Sequence, residues 1–415
     1  MARGRLYHHA HPFPPPPDLQ APDARAPMPA LIVALSLAGF IVVACMRLSD
    51  PLLPVIAAEF GVSVGQAGII GTAYALAYGL FLLAYGPLGD RYGKLRIIAV
   101  TLSLAAFCVT ACAFADSLLA LAVLRFLTGV ASAATVPLAL AWIGDNVRLE
   151  IRQATIARYM SGIIFGQMLG SALGGVMSDW LGWRSIFVVF GAATALAAAL
   201  IWRYPHLETL PLAPPAPLRQ AGARYLDLLR DRKAADLLTT ALIEGFCVFG
   251  GVAFVGAMLH ERHGLNMSLV GLCLLAYGLG GLAYSAAAPA LLRLLGQRGL
   301  IASGGVLMAW SFIVLATASH WLACAAALTV LGFGFYLMHS TLQTLATELV
   351  PAARGTAFAL FAFALFAGQA LGVAAVGALV DRTGYTMALG GMGLGIGLLG
   401  LWMQGSPMVP RRVIK

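Results

Sequence analysis

Long apolar segments alternate with short polar loops along most of this 415-residue chain. We count about twelve such segments between residues 30 and 404, each near the ~20 residues that a helix needs to cross ~30 Å of hydrocarbon. None has the period-two alternation of a membrane barrel strand. Because bilayer helices tolerate Gly and Pro, the pattern predicts an all-α membrane protein. The predicted spans begin near Ala30, Gln66, Ile97, Ser117, Ala157, Ser185, Leu237, Met267, Leu300, Trp321, Thr356 and Tyr385.

Composition and charge support the same class. Only 10% of the residues are charged, 60% are hydrophobic and the mean hydropathy is +0.87, whereas about a quarter of a soluble protein is charged. With the N-terminus inside, the cytoplasmic segments hold about 21 of the 26 Lys and Arg residues. This positive-inside bias places both termini in the cytoplasm and explains the net charge of +9 without a nucleic-acid partner. We expect a multi-pass protein of a prokaryotic inner membrane.

The chain repeats itself at an offset of about 202 residues. GQMLGSALGG at 166–175 matches GQALGVAAVG at 368–377, and Asp179 corresponds to Asp381 further along. Such a repeat predicts two similar halves. We therefore divide the chain into a disordered cytoplasmic tail at 1–29, a six-helix bundle at 30–203, a cytoplasmic linker with an interfacial helix at 204–235, a second six-helix bundle at 236–404 and a cytoplasmic tail at 405–415. Met28 is an alternative start, and no signal peptide precedes it.

The most informative loop is GPLGDRYGKLR at residues 86–96, which is strongly charged and lies between two predicted spans. It resembles the signature loop of the major facilitator superfamily of transporters, with Gly86, Asp90, Arg91, Gly93 and Lys94 in place. The resemblance implies twelve transmembrane helices in two pseudo-symmetric bundles, with substrate bound between them near the midplane. Within the superfamily the chain looks most like the drug and sugar-efflux group.

The signature loop is also a candidate cytoplasmic gate. In the superfamily that it resembles, the Asp is taken to cap a helix of the other bundle when the inner side is closed. This implies that Asp90 lies near the N-terminus of the eleventh span, beside Arg354, where the positive helix end favours a carboxylate. The alternative is that the loop serves only as a positive-inside anchor.

Few ionisable side chains lie within the spans, and each is a candidate functional residue because burial in lipid is costly unless the group is paired or hydrated. They occur on the first, fourth, seventh and tenth spans, which line the central cavity in the resembled family. Two glutamines occupy equivalent places in the two halves. The cavity candidates are Arg47, Asp50, Arg125, Gln167, Glu244, His339 and Gln369.

Most of the cavity candidates have more than one interpretation. Arg47 and Asp50 form either a self-neutralising i, i+3 pair or part of the cavity. Glu244 is the stronger proton-coupling candidate, although a neighbouring helix would equally satisfy a protonated carboxyl group. Arg125 lies in a segment resembling the fourth-helix motif of proton-coupled efflux members, where it would favour proton release from Asp50 or Glu244; alternatively it packs against backbone carbonyls. The two glutamines either contact substrate or bridge helices.

Glycines recur every four residues along the fifth span and share one face. The simpler interpretation is that these glycines allow close helix packing. The segment also resembles the antiporter motif Gly-x-x-x-Gly-Pro-x-x-Gly-Gly, which marks exporters, with Ser171 in place of the Pro. The glycines concerned are Gly162, Gly166, Gly170, Gly174 and Gly175.

The resemblance and the cavity candidates together predict a secondary active transporter that works by alternating access, as a proton-coupled exporter of small molecules such as drugs, sugars or metabolites. A proton-coupled importer of an organic anion or metabolite is the alternative, and a non-transporting membrane sensor or scaffold is a remote one. No nucleotide-binding loop or hydrolase motif is visible, so an enzyme is not predicted. We expect no cofactor and no metal. The expected partners are the substrate, protons and the lipid bilayer, and the expected state is a monomer.

Overall fold

The computed structural model describes residues 29–204, 225, 228–349, 354–406 and 409. Most of the two predicted tails and of the predicted linker thus lie outside the described residues. Within the described part there is no strand, and the all-α fold is confirmed. The helices are α1 (Pro29–Arg47), α2 (Leu53–Phe60), α3 (Val64–Ala67), α4 (Ile69–Tyr92), α5 (Lys94–Cys112), α6 (Leu118–Ser132), α7 (Thr135–Asn146), α8 (Leu149–Leu181), α9 (Trp183–Ile201), α10 (Arg232–His263), α11 (Met267–Thr317), α12 (Trp321–Leu349) and α13 (Arg354–Gly405).

Short polar side chains begin several of these helices. Ser117 accepts from the Ala120 amide at the start of α6, and Asp231 and Asn266 cap α10 and α11 in the same way. Each cap supplies an acceptor for an amide that has no partner inside its helix. The polar residues between apolar segments therefore set where the helices begin.

The number of membrane crossings follows from helix length. In the part of the chain that the structure describes, ten helices are long and apolar enough to span a bilayer. Two of them, α11 and α13, have 51 and 52 residues, which is more than twice the ~20 residues that one crossing needs. Each is interrupted by a non-helical glycine, Gly296 in α11 and Gly384 in α13. Each therefore consists of two spans joined by a turn, which gives the predicted twelve crossings.

The internal repeat is also present in the packing. A Cβ atom at Gly166 of α8 would lie 2.4 Å from the carbonyl oxygen of Phe40 in α1. At the equivalent place in the second half, a Cβ atom at Gly368 of α13 would lie 2.0 Å from the carbonyl oxygen of Leu242 in α10. The same helix pair thus packs in the same way in both bundles, α1–α9 and α10–α13.

The two bundles meet along two seams. In one seam α4 packs against the part of α13 that precedes Gly384, with Gly79 against Phe366. In the other, α8 packs against the part of α11 that precedes Gly296, with Met168 against Gly278. We call the end of the molecule where α4 and α11 begin and α8 ends the predicted external face, because the positive-inside rule assigns that end to the outside.

Turns at equivalent places in the two halves use glycine. Six glycines of the described residues have a positive φ, a conformation that a side chain disfavours. They form three pairs spaced by 202 or 203 residues, so each turn of the first half has a counterpart in the second. The pairs are Gly61 with Gly264, Gly93 with Gly296, and Gly182 with Gly384.

Candidate substrate and proton site

The end of α1 brings three of the predicted cavity residues together. The buried Arg47 Nη1 lies 3.7 Å from the Asp50 carboxylate. With the Gln167 amide oriented so that its oxygen faces Arg47, that oxygen accepts from Nε and Nη2 at 3.0 and 3.1 Å. The guanidinium also lies over the ring of Phe249, in the opposite bundle, at 4.4 Å. Arg47 therefore sits where the two bundles meet, with its pair partner beside it.

Ser171 supplies a second tie at this point. Its hydroxyl donates to the carbonyl oxygen of Arg47 at 3.2 Å. This is the position at which the chain departs from the antiporter motif, where the family has Pro. A proline ring carries no hydroxyl to donate, so the departure adds a hydrogen bond between α8 and the end of α1.

Arg125 is enclosed within the first bundle and is fully buried. It donates to the carbonyl oxygen of Cys45 at 3.1 Å and to the Ser49 hydroxyl at 3.4 Å, and its guanidinium lies over the Tyr74 ring at 4.4 Å. No described carboxylate lies within ion-pair distance of it. The carbonyl and aromatic contacts satisfy most of the group, and its part in proton coupling stays a prediction.

A buried acid–base pair lies in the second bundle. The Glu244 carboxylate in α10 is 2.9 Å from Nδ1 of His339 in α12, with side-chain exposures of 0% and 9%. The other carboxylate oxygen, Oε1, has no hydrogen-bond partner among the described residues. A buried acceptor without a partner costs free energy, so Oε1 is a place where the donor of a polar ligand can bind.

Aromatic rings connect this pair to Arg47. The Phe249 ring, which carries the guanidinium, lies 5.2 Å from the ring of Phe335 between centroids. Phe335 in turn stacks on the imidazole of His339 at 4.7 Å. The charged groups of the two bundles are therefore joined across the seam by two rings rather than by a direct ion pair.

The buried polar groups of the second bundle without a partner among the described residues also include the Gln369 Oε1 and the Tyr277 hydroxyl. Tyr277 packs its ring 5.9 Å from Phe335, so it belongs to the same region. Sequence reasoning selected Gln369 through the repeat but missed Tyr277, Phe249 and Phe335. Aromatic residues in an apolar span give no signal that separates them from ordinary core residues.

The signature loop forms a small charge cluster within the first bundle. Lys94 lies 2.9 Å from Asp90 and 2.9 Å from Asp145 at the end of α7, while Arg91 stacks on Tyr92 at 5.2 Å. Asp90 remains 60% exposed. The residues missed by sequence reasoning here include Asp145. The Arg354 side chain lies outside the described residues, so contact between it and Asp90 stays a prediction.

The glycine face of α8 lies against α1. Cβ atoms at the four glycines spaced by four would come within 2.3 to 2.7 Å of backbone carbonyl oxygens of α1 and of Leu48, which directly follows it. Gly175 points elsewhere: its Cβ would lie 2.1 Å from the carbonyl oxygen of Met267, in the other bundle. The four glycines facing α1 are Gly162, Gly166, Gly170 and Gly174.

Twelve crossings in two pseudo-symmetric bundles, with charged groups buried at their junction, define a membrane transporter. The family model of the Major Facilitator Superfamily matches residues 35–373. The chain belongs to this superfamily. It is a multi-pass transporter of the secondary active type, and its relatives are transporters rather than enzymes.

Relatives and solved structures place the chain broadly within the superfamily. It is 26% identical over 351 residues to the MFS-type transporter YceJ of Bacillus subtilis, covering 83% of this chain and 87% of that protein. It is 30% identical over 159 residues to the multidrug export protein EmrB of Haemophilus influenzae, covering 38% and 31%. The nucleoside transporter NupG has a TM-score of 0.73 at 12% identity, covering 90% and 98%. A D-xylose-proton symporter has a TM-score of 0.71 at 17% identity, covering 92% and 98%. At these identities the solved structures show the fold.

Proposed function

We propose that the protein is a proton-coupled exporter of small molecules in the inner membrane, working as a monomer with both termini in the cytoplasm. The observation that carries the proposal is the Glu244–His339 pair, buried at 2.9 Å with one carboxylate oxygen free. Among the described acidic residues, Glu244 is the one that is completely buried. A carboxylate and an imidazole in hydrogen-bond contact are side chains of the two kinds that most often transfer protons.

The arrangement of the pair supports coupling to substrate. Phe335 and Phe249, both in the second bundle, lie between His339 and the Arg47 guanidinium of the first bundle. If substrate enters between the bundles, it meets these rings and the groups behind them. A proton at Glu244 and a substrate near Arg47 then each bind to the groups that the two bundles enclose. Binding of one disfavours binding of the other, which is the requirement for exchange.

Two observations favour export. The glycine face of α8 follows the antiporter-like spacing, although Ser171 stands in place of the motif's Pro. Part of the chain is also similar to a multidrug export protein. Neither depends on the chemistry of the substrate, so drugs, sugars and metabolites remain the substrate classes.

The test is transport by the purified full chain in proteoliposomes with an imposed pH gradient, using a mixed panel of labelled drugs, sugars and metabolites. Export predicts that substrate moves opposite to protons. In cells, an uncoupler is then expected to raise accumulation of the same compound. Proteoliposomes that move no compound of the panel and no protons would contradict the proposal.

A second candidate is import of an organic anion together with protons, favoured by Arg47 at the junction of the bundles. Its guanidinium faces the opposite bundle and has Asp50 as its nearest described carboxylate, at 3.7 Å. In the cellular assay this function predicts the opposite sign, because an uncoupler would lower accumulation.

The signature loop offers a separate prediction about gating. Asp90→Asn is expected to leave membrane insertion intact and to reduce transport by roughly tenfold, because the cap that we predict on α13 in the inward-closed state would be lost. Asp145→Asn is the matched control, since both carboxylates lie 2.9 Å from Lys94. If the loop is only an anchor, the two variants will behave alike in the transport assay.

A further inference from the structure

Two carboxylates at equivalent places in the repeat cross from one bundle to the other. Asp179, near the end of α8, accepts from the Met267 amide at 3.2 Å and from the Ser268 amide and hydroxyl at 2.7 Å each. Asp381, in α13, accepts from the Gly65 amide at 3.0 Å and from the Ser63 hydroxyl at 2.6 Å. Each carboxylate thus holds the beginning of a span that belongs to the opposite bundle.

The match extends to the helix packing beneath each carboxylate. Gly175 and Gly377 lie one turn before Asp179 and Asp381. A Cβ at Gly175 would lie 2.1 Å from the Met267 carbonyl oxygen, and one at Gly377 would lie 2.7 Å from the Gly65 carbonyl oxygen. Both seams therefore share two features: a glycine that lets the helices touch, and an aspartate that accepts hydrogen bonds from amides at the start of the facing helix.

The chemistry of each contact depends on the bundles being together. The first amides of a helix lack partners inside it and carry a partial positive charge, which favours a carboxylate. Both aspartates are exposed residues, so water is available to replace these contacts when the helices part. Such contacts stabilise one state without making its release prohibitively slow.

We propose that Asp179 and Asp381 are paired latches that hold the predicted external face closed, one on each seam. The latches act as positioning residues for alternating access, since they touch the opposite bundle rather than the buried charges. Opening the predicted external face requires both to release. The inference goes beyond the proposed function and holds for either direction of transport.

The experiment measures the separation of the bundles at this face in the full-length protein. Spin labels are placed at Leu119→Cys in the first bundle and Met387→Cys in the second, which are 70% and 68% exposed. The six native cysteines are buried and free. Distances are recorded by pulsed electron resonance with and without Asp179→Asn, Asp381→Asn and the double substitution.

Each single substitution is expected to raise the ratio of long-distance to short-distance populations by roughly threefold to tenfold. The double substitution should multiply the two effects, because the seams share no contact residue. Asp116→Asn, which alters an exposed carboxylate on the same face, should leave the distances unchanged. Unchanged distances in the double variant would overturn the proposal.

Local exchange and a conservative variant separate a latch from a folding defect. Hydrogen exchange of the Ser268 amide should accelerate in Asp179→Asn, with the exchange of α1 and α6 unaltered. Asp179→Glu, which keeps the charge, should restore part of the short-distance population. Acceleration throughout the first bundle, without a change in distances, would count against the latch.

Discussion

Replacing Glu244 by Gln is expected to abolish transport driven by a pH gradient. Gln has nearly the same shape and still reaches His339, which lies 2.9 Å away, but it cannot gain or lose a proton. We expect gradient-driven substrate movement to fall roughly 100-fold, the effect typical of removing a positioned proton-transfer group. Proteoliposome transport with an imposed pH gradient measures this directly.

The variant should keep movements that need no proton. Exchange of labelled for unlabelled substrate at equal pH is expected to persist, because Arg47 and the rings of Phe249 and Phe335 are unchanged. Glu59→Gln is the matched control, since Glu59 is 40% exposed and pairs with Arg184 at 2.6 Å, away from the seam. Full proton-driven transport by Glu244→Gln would remove Glu244 from the coupling mechanism.

The neighbouring glycines Gly174 and Gly175 are expected to respond differently to the same substitution. A Cβ at Gly174 would lie 2.3 Å from the Leu48 carbonyl oxygen within the first bundle, whereas one at Gly175 would lie 2.1 Å from the Met267 carbonyl oxygen across the seam. Gly174→Val is therefore expected to destabilise the first bundle itself, by about 1–3 kcal/mol or more. Gly175→Val should instead prevent the closed seam from forming.

Thermal unfolding and label distances tell the two effects apart. Gly174→Val should lower the melting temperature while the surviving protein keeps its distances at the predicted external face. Gly175→Val should show longer distances at that face with a smaller loss of stability. Equal losses of stability, with distances unchanged in both, would mean that the seam is a fixed interface rather than a gate.

Hydropathy predicted the fold because a lipid-embedded chain has few alternatives. Backbone amides have no water to bind in the bilayer core, so apolar segments that lack the alternation of a barrel strand must be helices. The repeat between 166–175 and 368–377 also predicted that α8 and α13 play equivalent parts, and they pack on α1 and α10 in the same way. These features follow from segment length and local spacing, which a sequence displays directly.

The contacts between side chains at the site could be predicted only in part. Arg47 and Asp50 are visible as an i, i+3 pair because they lie on one short stretch. Glu244 and His339 were each selected as buried ionisable groups, but their contact joins residues 95 positions apart. Which two helices face each other depends on the packing of the entire bundle. No local sequence pattern shows this packing.

Paired turn glycines have a consequence for the origin of the chain. The positive-φ glycines of one half recur in the other at a nearly constant spacing, although Arg293, placed relative to Gly296 as Asp90 is to Gly93, replaces the acidic residue of the signature loop. A turn that needs a positive φ restricts its position almost to glycine, whereas a loop position that carries a charge tolerates other residue types. A duplicated ancestor of half this length would already have held its three hairpins, and later specialisation acted on the side chains between them.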